Sequence, residues 1–287
     1  MRMDVRIADN SGGQAVTAVR ASLGSAPMSS DAALAREVAG AAGDLLLRMR
    51  PDLVAESDLE AAGRSADSAA HLMIAALLDA ARPDDVLLSE EAPDDPSRHE
   101  RPRVWIVDPL DGTREYVQAG RSDWAVHVAL WAGGALVEGA VGLPAQGLVL
   151  GADEPPAVPA RSAPSSDSPI RVVVSRSRPP ELIAPLVVAL RASGVELEVA
   201  RHGSAGGKAA EVILGHADAY LHDGGLHEWD TAAPVAVAVA AGLHVSHLDG
   251  TPLAFNTTDA MTSDLLLCRT EVAAPLLSAL ASLVGGA

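Results

Sequence analysis

The chain has 287 residues, 48% of them apolar but only 2% aromatic, and its 38 acidic and 21 basic side chains leave a net charge of −17. That length suits one large domain or two sharing a core; the core must be built from Ala, Val and Leu. The charge argues against nucleic acid polymers and anionic membranes as partners, and no apolar stretch reaches the ~18 residues of a membrane span.

Residues 1–28, rich in Gly, Ser and Ala, read as a disordered leader, with Met28 as an alternative start and no apolar core of a signal peptide. Leu34, Val38, Ala41, Leu45 and Met49 recur at helical spacing, so a helix is expected from Asp31 to Met49. Ser30 or Asp31 would cap it and Pro51 would stop it. A second helix fits Ser65 to Ala81. Val86 to Leu88 reads as a short strand, and Val104 to Val107 as a buried one. Trp124 to Leu130 and Ala135 to Leu143 read as a hairpin closed at Gly133-Gly134.

Residues 152–169, with five prolines, read as a linker between an N-terminal α+β half (29–151) with an antiparallel sheet and a C-terminal α/β half (170–287). In that second half, strands are expected at Ile170 to Val174, Val195 to Val199, Ala217 to Leu221 and Leu265 to Cys268. Helices are expected at Pro180 to Ala192, Gly207 to Leu214, Thr231 to Ala241 and Leu276 to Val284. The alternation points to an α/β layer. The single cysteine, Cys268, lies in the apolar run from Leu265 and reads as core; one thiol forms no internal disulfide, which fits a reducing cytoplasm.

The chemistry concentrates in Asp108-Pro-Leu-Asp-Gly-Thr113. A buried strand delivers Asp108 to its carboxyl end, where ligands gather in layered folds. A tight turn would aim Asp108, Asp111 and the Leu110 carbonyl at one point, the oxygen set a hard cation such as Mg²⁺ takes. Gly112 leaves room for a phosphate beside the backbone, and Thr113 opens a short helix whose free amides favour an anion. Alone, the hexapeptide fits equally an Asp-Pro turn with an N-cap at Thr113. Glu90-Glu91 after a short strand and Asp230 at a helix start add acids at element ends, the arrangement of a multi-metal phosphoryl-transfer site. Asp230 taken singly also fits an N-cap.

Glu90-Glu91, Asp108 to Thr113 and Trp229-Asp-Thr-Ala-Ala-Pro234 together resemble, in order and separation, the signature motifs of the inositol monophosphatase-like superfamily of metal-dependent, lithium-sensitive phosphatases. The resemblance covers about residues 30 to 285. It is strongest to CysQ-type 3′(2′),5′-bisphosphate nucleotidases of actinobacteria, through Leu88 to Ala92, Val104 to Glu115, Asp123 to Trp131 and Gly203-Ser-Ala-Gly-Gly-Lys208. It implies a layered α-β-α-β-α sandwich, shared with fructose-1,6-bisphosphatases, and two or three Mg²⁺ ions. Glu90, Asp108, the Leu110 carbonyl, Asp111 and Asp230 would bind metal. Thr113, with Asp67 and Glu90, would serve the attacking water. Gly112 and Thr113 amides would hold the phosphate; Gly203, Ser204, Lys208 and His222 would lie near the rest of the substrate. The family's Lys-rich Ser-Pro-Val-Thr-like segment before its first acid is replaced here by Ser57 to Asp67. A solvated helix face for Asp67, a solvated helix start for Lys208 and a surface or hydrogen-bond-satisfied histidine for His222 remain open.

The implied activity is hydrolysis of 3′-phosphoadenosine 5′-phosphate. Inositol or fructose phosphates are alternative substrates, and a metal-binding protein without turnover is the non-enzymatic alternative. Metal would reconcile an acidic protein with an anionic ester, helped by Arg114, Lys208 or Arg201. A small phosphorylated metabolite is the expected partner, and a homodimer stays open.

Overall fold

The computed structural model describes residues 29–284; the leader expected over 1–28 lies outside the described residues. Among them are seven α-helices and twelve strands. α1 (Asp31–Leu53) and α2 (Leu59–Ala81) are followed by β1 (Val86–Ser89), β2 (Arg103–Asp111), the single turn α3 (Thr113–Tyr116), β3 (Ala125–Ala132), β4 (Ala135–Leu143) and β5 (Leu148–Gly151). The second half runs β6 (Ile170–Ser175), α4 (Ile183–Ala192), β7 (Leu197–His202), α5 (Ala205–Ile213), β8 (Ala219–His222), β9 (Leu226–His227), α6 (Glu228–Ala240), β10 (His244–Ser246), β11 (Met261–Thr262), β12 (Leu265–Cys268) and α7 (Thr270–Val284).

Two five-stranded mixed sheets form, ordered β1-β2-β3-β4-β5 and β10-β12-β8-β6-β7, with a separate β9-β11 ribbon. In the first, only β1 pairs parallel to its neighbour; in the second, β6 pairs parallel with both β7 and β8. Three apolar clusters separate five layers. One lies between α1/α2 and the first sheet, one between the sheets around α5 and α6, and one between the second sheet and α4/α7. The continuous apolar character of β2 follows from this. Trp105 and Val107 face the first cluster and Val104 and Ile106 the central one, so neither face meets water. β12 repeats the pattern with Leu265 and Leu267 against Leu266 and Cys268. Burial pushes the Cys268 thiol up to about 12, as suits a core residue.

Several element boundaries differ from the sequence expectation. α1 runs through Pro51 to Leu53 instead of stopping before it; the proline forgoes its own backbone bond one turn from the helix end, and the helix stops two residues later. α2 starts at Leu59, not Ser65, because the Asp58 carboxylate accepts the Ala61 amide at 3.0 Å and caps it. Asp67 consequently lies within a helix rather than at its start. The last helix begins at Thr270, well before Leu276. The short strands β5, β9, β10 and β11 were not expected; at two to four residues they carry too little periodicity to read. Residues 152–169 carry no strand or helix. They are nevertheless pinned: Arg161 pairs with Asp218 at 2.7 Å, and the Pro159 carbonyl accepts from Arg269.

Candidate active site

The site begins with an irregularity in β2. The register with β3 shifts between Asp108 and Asp111. In a regular strand, residues three apart point to opposite faces; a bulge restores the missing step, so both carboxylates face the central layer. Asp108 is 1% exposed and its Oδ1 accepts the Leu110 amide at 3.0 Å. Asp111 meets the start of α5, where its Oδ1 accepts the Ala205 amide at 3.0 Å and its Oδ2 the Gly206 amide at 2.6 Å.

The third acid comes from α6. His227 is the N-cap, and Asp230, three residues in, accepts the His227 amide at 2.8 Å. Asp230 is therefore the acidic member of a capping box, not the N-cap itself. One oxygen each from Asp108, Asp111 and Asp230 lie within 4.8 Å of one another. Among the described residues no lysine or arginine pairs directly with these acids; Lys208 acts on them through its charge alone. Burial first, then the charges of Asp111, Glu90 and Asp230, drive the Asp108 carboxyl well above the usual range. Burial and Asp111 likewise raise Asp230. Asp111 behaves oppositely: burial would raise it, but His127 and the Lys208 charge hold it below its ordinary value.

His127 is the residue sequence reasoning passed over. It is fully buried on β3, its Nδ1 lies 2.9 Å from the Trp229 carbonyl and its Nε2 3.3 Å from Asp111 Oδ2. It thus ties the β2 carboxylate to the helix that carries Asp230. The only sequence signal was a histidine inside an otherwise apolar strand.

Asp67 and Thr113 form the neighbouring unit. Thr113 Oγ1 lies 3.4 Å from Asp67 Oδ2 and 3.2 Å from the Leu110 carbonyl. The approach depends on Gly63, one turn before Asp67, where a Cβ would sit 2.7 Å from the Thr113 methyl. Asp67 is 4% exposed and its Oδ1 has no partner. Burial, with Glu90 and Glu91 nearby, raises its carboxyl to about 8. Glu90 keeps contact with solvent at the mouth of the site, yet lost hydration and the Asp230 and Asp111 charges raise it to about 7. Gly112 turns the chain at φ +87°, and a Cβ there would lie 2.9 Å from Ser204 Cβ. A glycine is required both for the left-handed backbone and for the contact with the second half.

Glu90, Asp111, Gly112, Thr113 and Asp230 line a cavity of about 320 Å³ together with Gly203, Ser204, Lys208 and His222. Ser204 caps α5, accepting the Gly207 amide at 2.8 Å. The Lys208 ammonium turns back to the Gly203 and Ser204 carbonyls, 2.6 Å from each, and lies 5.1 Å from the centre of the Tyr220 ring. Burial lowers it to about 8. It is therefore a buried group of the wall rather than a solvated helix start. His222, also buried, has its Nε2 2.6 Å from the Gly224 carbonyl. Arg201 does not line this cavity, whereas Arg114 and Arg178 do. A larger groove of about 600 Å³ between β4 and α6 is lined mainly by apolar residues and has no such cluster.

The donor set fits a hard divalent cation. It is all oxygen, it gathers three carboxylates with no lysine or arginine paired to them among the described residues, and burial and neighbouring acids raise two of them above the usual carboxylate range.

Residues 28–283 match the inositol monophosphatase family. A Mycobacterium tuberculosis protein named 3′-phosphoadenosine 5′-phosphate phosphatase is 44% identical over 246 residues, spanning 84% of this chain and 89% of its own. The 3′(2′),5′-bisphosphate nucleotidase CysQ of Escherichia coli is 33% identical over 236 residues, spanning 78% and 93%. Among solved structures, CysQ from Bacteroides thetaiotaomicron superposes with a TM-score of 0.68 at 28% identity, over 83% of this chain and 97% of that one.

Proposed function

The chain belongs to the inositol monophosphatase family, and we propose that it is a Mg²⁺-dependent phosphomonoester hydrolase that converts 3′-phosphoadenosine 5′-phosphate to AMP and phosphate. The observation that carries the reading is the convergence of Asp108, Asp111 and Asp230 oxygens within 4.8 Å, beside the Thr113–Asp67 pair. The 44% identity to proteins named for this substrate supports the choice of ester.

Asp108, Asp111, the Leu110 carbonyl and Glu90 would hold Mg²⁺, and Asp230 would hold a further ion toward the leaving group, two or three in all. Bound there, Mg²⁺ supplies charge neutralisation of the phosphate oxygens and of the departing oxygen, and acidifies water. The chain's own groups do the positioning. Thr113 Oγ1 donates to Asp67 Oδ2, which leaves a hydroxyl lone pair to accept a hydrogen bond from the attacking water. With cations offsetting the neighbouring acids, Asp67 ionises and takes up the proton passed through Thr113. The Gly112 and Thr113 amides hold the phosphate at the start of α3, and His127 keeps Asp111 aimed. Gly203, Ser204, Lys208 and His222 flank the nucleoside. Cys268, the only thiol, lies in the core away from these groups, and the reading places the enzyme in the cytoplasm.

Phosphate release with Mg²⁺, with and without Li⁺, tests the reading at equal concentrations of adenosine 3′,5′-bisphosphate, inositol 1-phosphate and fructose 1,6-bisphosphate. The nucleotide should be hydrolysed best and Li⁺ should inhibit. A clear preference for inositol 1-phosphate would overturn the substrate, and no release from any of the three would overturn the enzyme.

A further inference from the structure

The metal-dependent reading just given needs Glu90 and Asp230 at one cavity, although they come from opposite halves of the chain and, as like charges, repel one another until a cation arrives. Glu90 lies just after β1, on the connection to β2, and Asp230 lies in the first turn of α6. A fully buried arginine outside the cavity links these two segments. Arg98 stands on the same connection as Glu90 and is 0% exposed. Its Nε donates to Asp94 Oδ1 at 2.7 Å, which folds that connection onto itself. Its Nη1 donates to Asn256 Oδ1 at 2.5 Å and its Nη2 to the Thr257 carbonyl at 2.6 Å.

Asn256 and Thr257 lie on the loop that leads into β11, and they pass the contact on. The Asn256 amide donates to Glu228 Oε2 and the Thr257 amide to Glu228 Oε1, both at 2.7 Å, and Thr257 Oγ1 donates to the same Oε1 at 2.6 Å. Glu228 is also 0% exposed. It opens α6 just ahead of Asp230, and its own amide donates to the Ala260 carbonyl at 2.9 Å. The path therefore runs from the Glu90 connection through Arg98, residues 256–257 and Glu228 to the helix that carries Asp230. Asn256 holds a left-handed backbone at φ +60°, which asparagine tolerates better than most side chains. That turn lets one residue give its side chain to Arg98 and its amide to Glu228. An apolar set of similar size would cost less to bury, but it would not fix one loop in register with the other.

We infer that Arg98 is a positioning residue of the metal centre: through Asn256, Thr257 and Glu228 it fixes the Glu90 connection against the start of α6, and so sets the separation of Glu90 and Asp230 that a cation meets. The inference rests on the metal-dependent reading above. Calorimetric titration of Mg²⁺ into metal-free protein tests it, with phosphate release as a second readout. Arg98→Met should weaken Mg²⁺ binding on the order of 10-fold, the scale of groups that orient metal ligands without touching the ion. Raising Mg²⁺ should restore the activity lost at limiting Mg²⁺, to which a purely structural defect would not respond. Arg98→Lys should recover part of the affinity, since it keeps the charge without the fork that reaches three partners. Asn256→Gly cuts the same path more gently, because glycine accepts φ +60° and the amide to Glu228 remains; it should weaken Mg²⁺ binding in the same sense. In a Glu90→Gln background it should add little, as expected of groups that act through one another. Asp218→Asn, which unpairs Arg161 outside this path, should leave Mg²⁺ affinity unchanged. Wild-type affinity in Asn256→Gly would overturn the inference and leave the metal centre standing, as would an equal loss in Asp218→Asn. Wild-type protein that binds no Mg²⁺ would instead remove the metal-dependent reading itself.

Discussion

Two buried acidic centres in this molecule are built in opposite ways. Asp218, 1% exposed before β8, is ringed by arginines: Arg171 at 2.9 Å, Arg161 at 2.7 Å and Arg269 at 3.9 Å. Burial alone would raise its carboxyl, but Arg171 and Arg161 hold it below its ordinary value. Asp108 is as enclosed and Asp230 half-buried, yet both face other acids and are raised. One centre is electrostatically complete as the chain folds. The other lacks the charge that would complete it. Desolvating an acid is tolerable when the fold supplies the counter-charge; where it does not, a ligand is expected to.

Exchanging acid for amide at each centre should therefore have opposite consequences. Asp111→Asn should lower kcat about 10³-fold or more, since it removes one anionic ligand where several kcal/mol of charge stabilisation act. Far-ultraviolet circular dichroism should stay unchanged, and retained wild-type turnover would sink the metal assignment. Asp218→Asn should cost about 3 kcal/mol in urea unfolding, because it removes the one buried charge shared by Arg161, Arg171 and the buried Arg269. Turnover of the folded fraction should persist. Asp108→Asn keeps the acceptor for the Leu110 amide while removing a charge from a crowded site. It should abolish turnover yet raise the melting temperature of metal-free protein by a few degrees, on the order of 1 kcal/mol. A lower melting temperature would mean the acids are not mutually repelling.

The smallest expected effect is in pH dependence. Asp67 is raised to about 8 and Glu90 to about 7, against roughly 4 in an unfolded chain. The folded state therefore binds more protons between these values, and stability falls as pH rises. This contribution is present in full below about pH 4 and is lost as pH climbs through 7 to 8. Metal-free protein should melt lower at pH 8 than at pH 6, and saturating Mg²⁺ should flatten the slope. Asp67→Asn should also flatten it.

Much of this was legible in the sequence, and the reasons are physical. The strand that ends at Asp108 is recognisable because burial on both faces leaves an unbroken apolar run, and the β3–β4 hairpin because Gly133-Gly134 supplies two positive φ angles. Glu90, Asp108, Asp111, Thr113 and Asp230 converge because each sits at or near the end of an element. Two features were not legible. The bulge at Pro109-Leu110, which brings Asp108 and Asp111 to one face, is a register property that requires the partner strand. Groups that act across the chain, His127 under Asp111 and Asp218 among its arginines, leave no local pattern, because their partners are up to about a hundred residues away. Lys208 was visible as a charge, but its return to the Gly203 and Ser204 carbonyls was not.

The central claim, that the Asp108–Asp111–Asp230 cluster is completed by a divalent cation, is tested most directly by calorimetric titration of Mg²⁺ into chelator-treated protein at neutral pH, in buffers of different ionisation enthalpy. Acids raised by burial and by one another should release protons when the cation enters. The account predicts saturable binding, a heat that varies with the buffer in the sense of proton release, and loss of that signal in Asp111→Asn. Binding without proton release, or binding unchanged by Asp111→Asn, would contradict it.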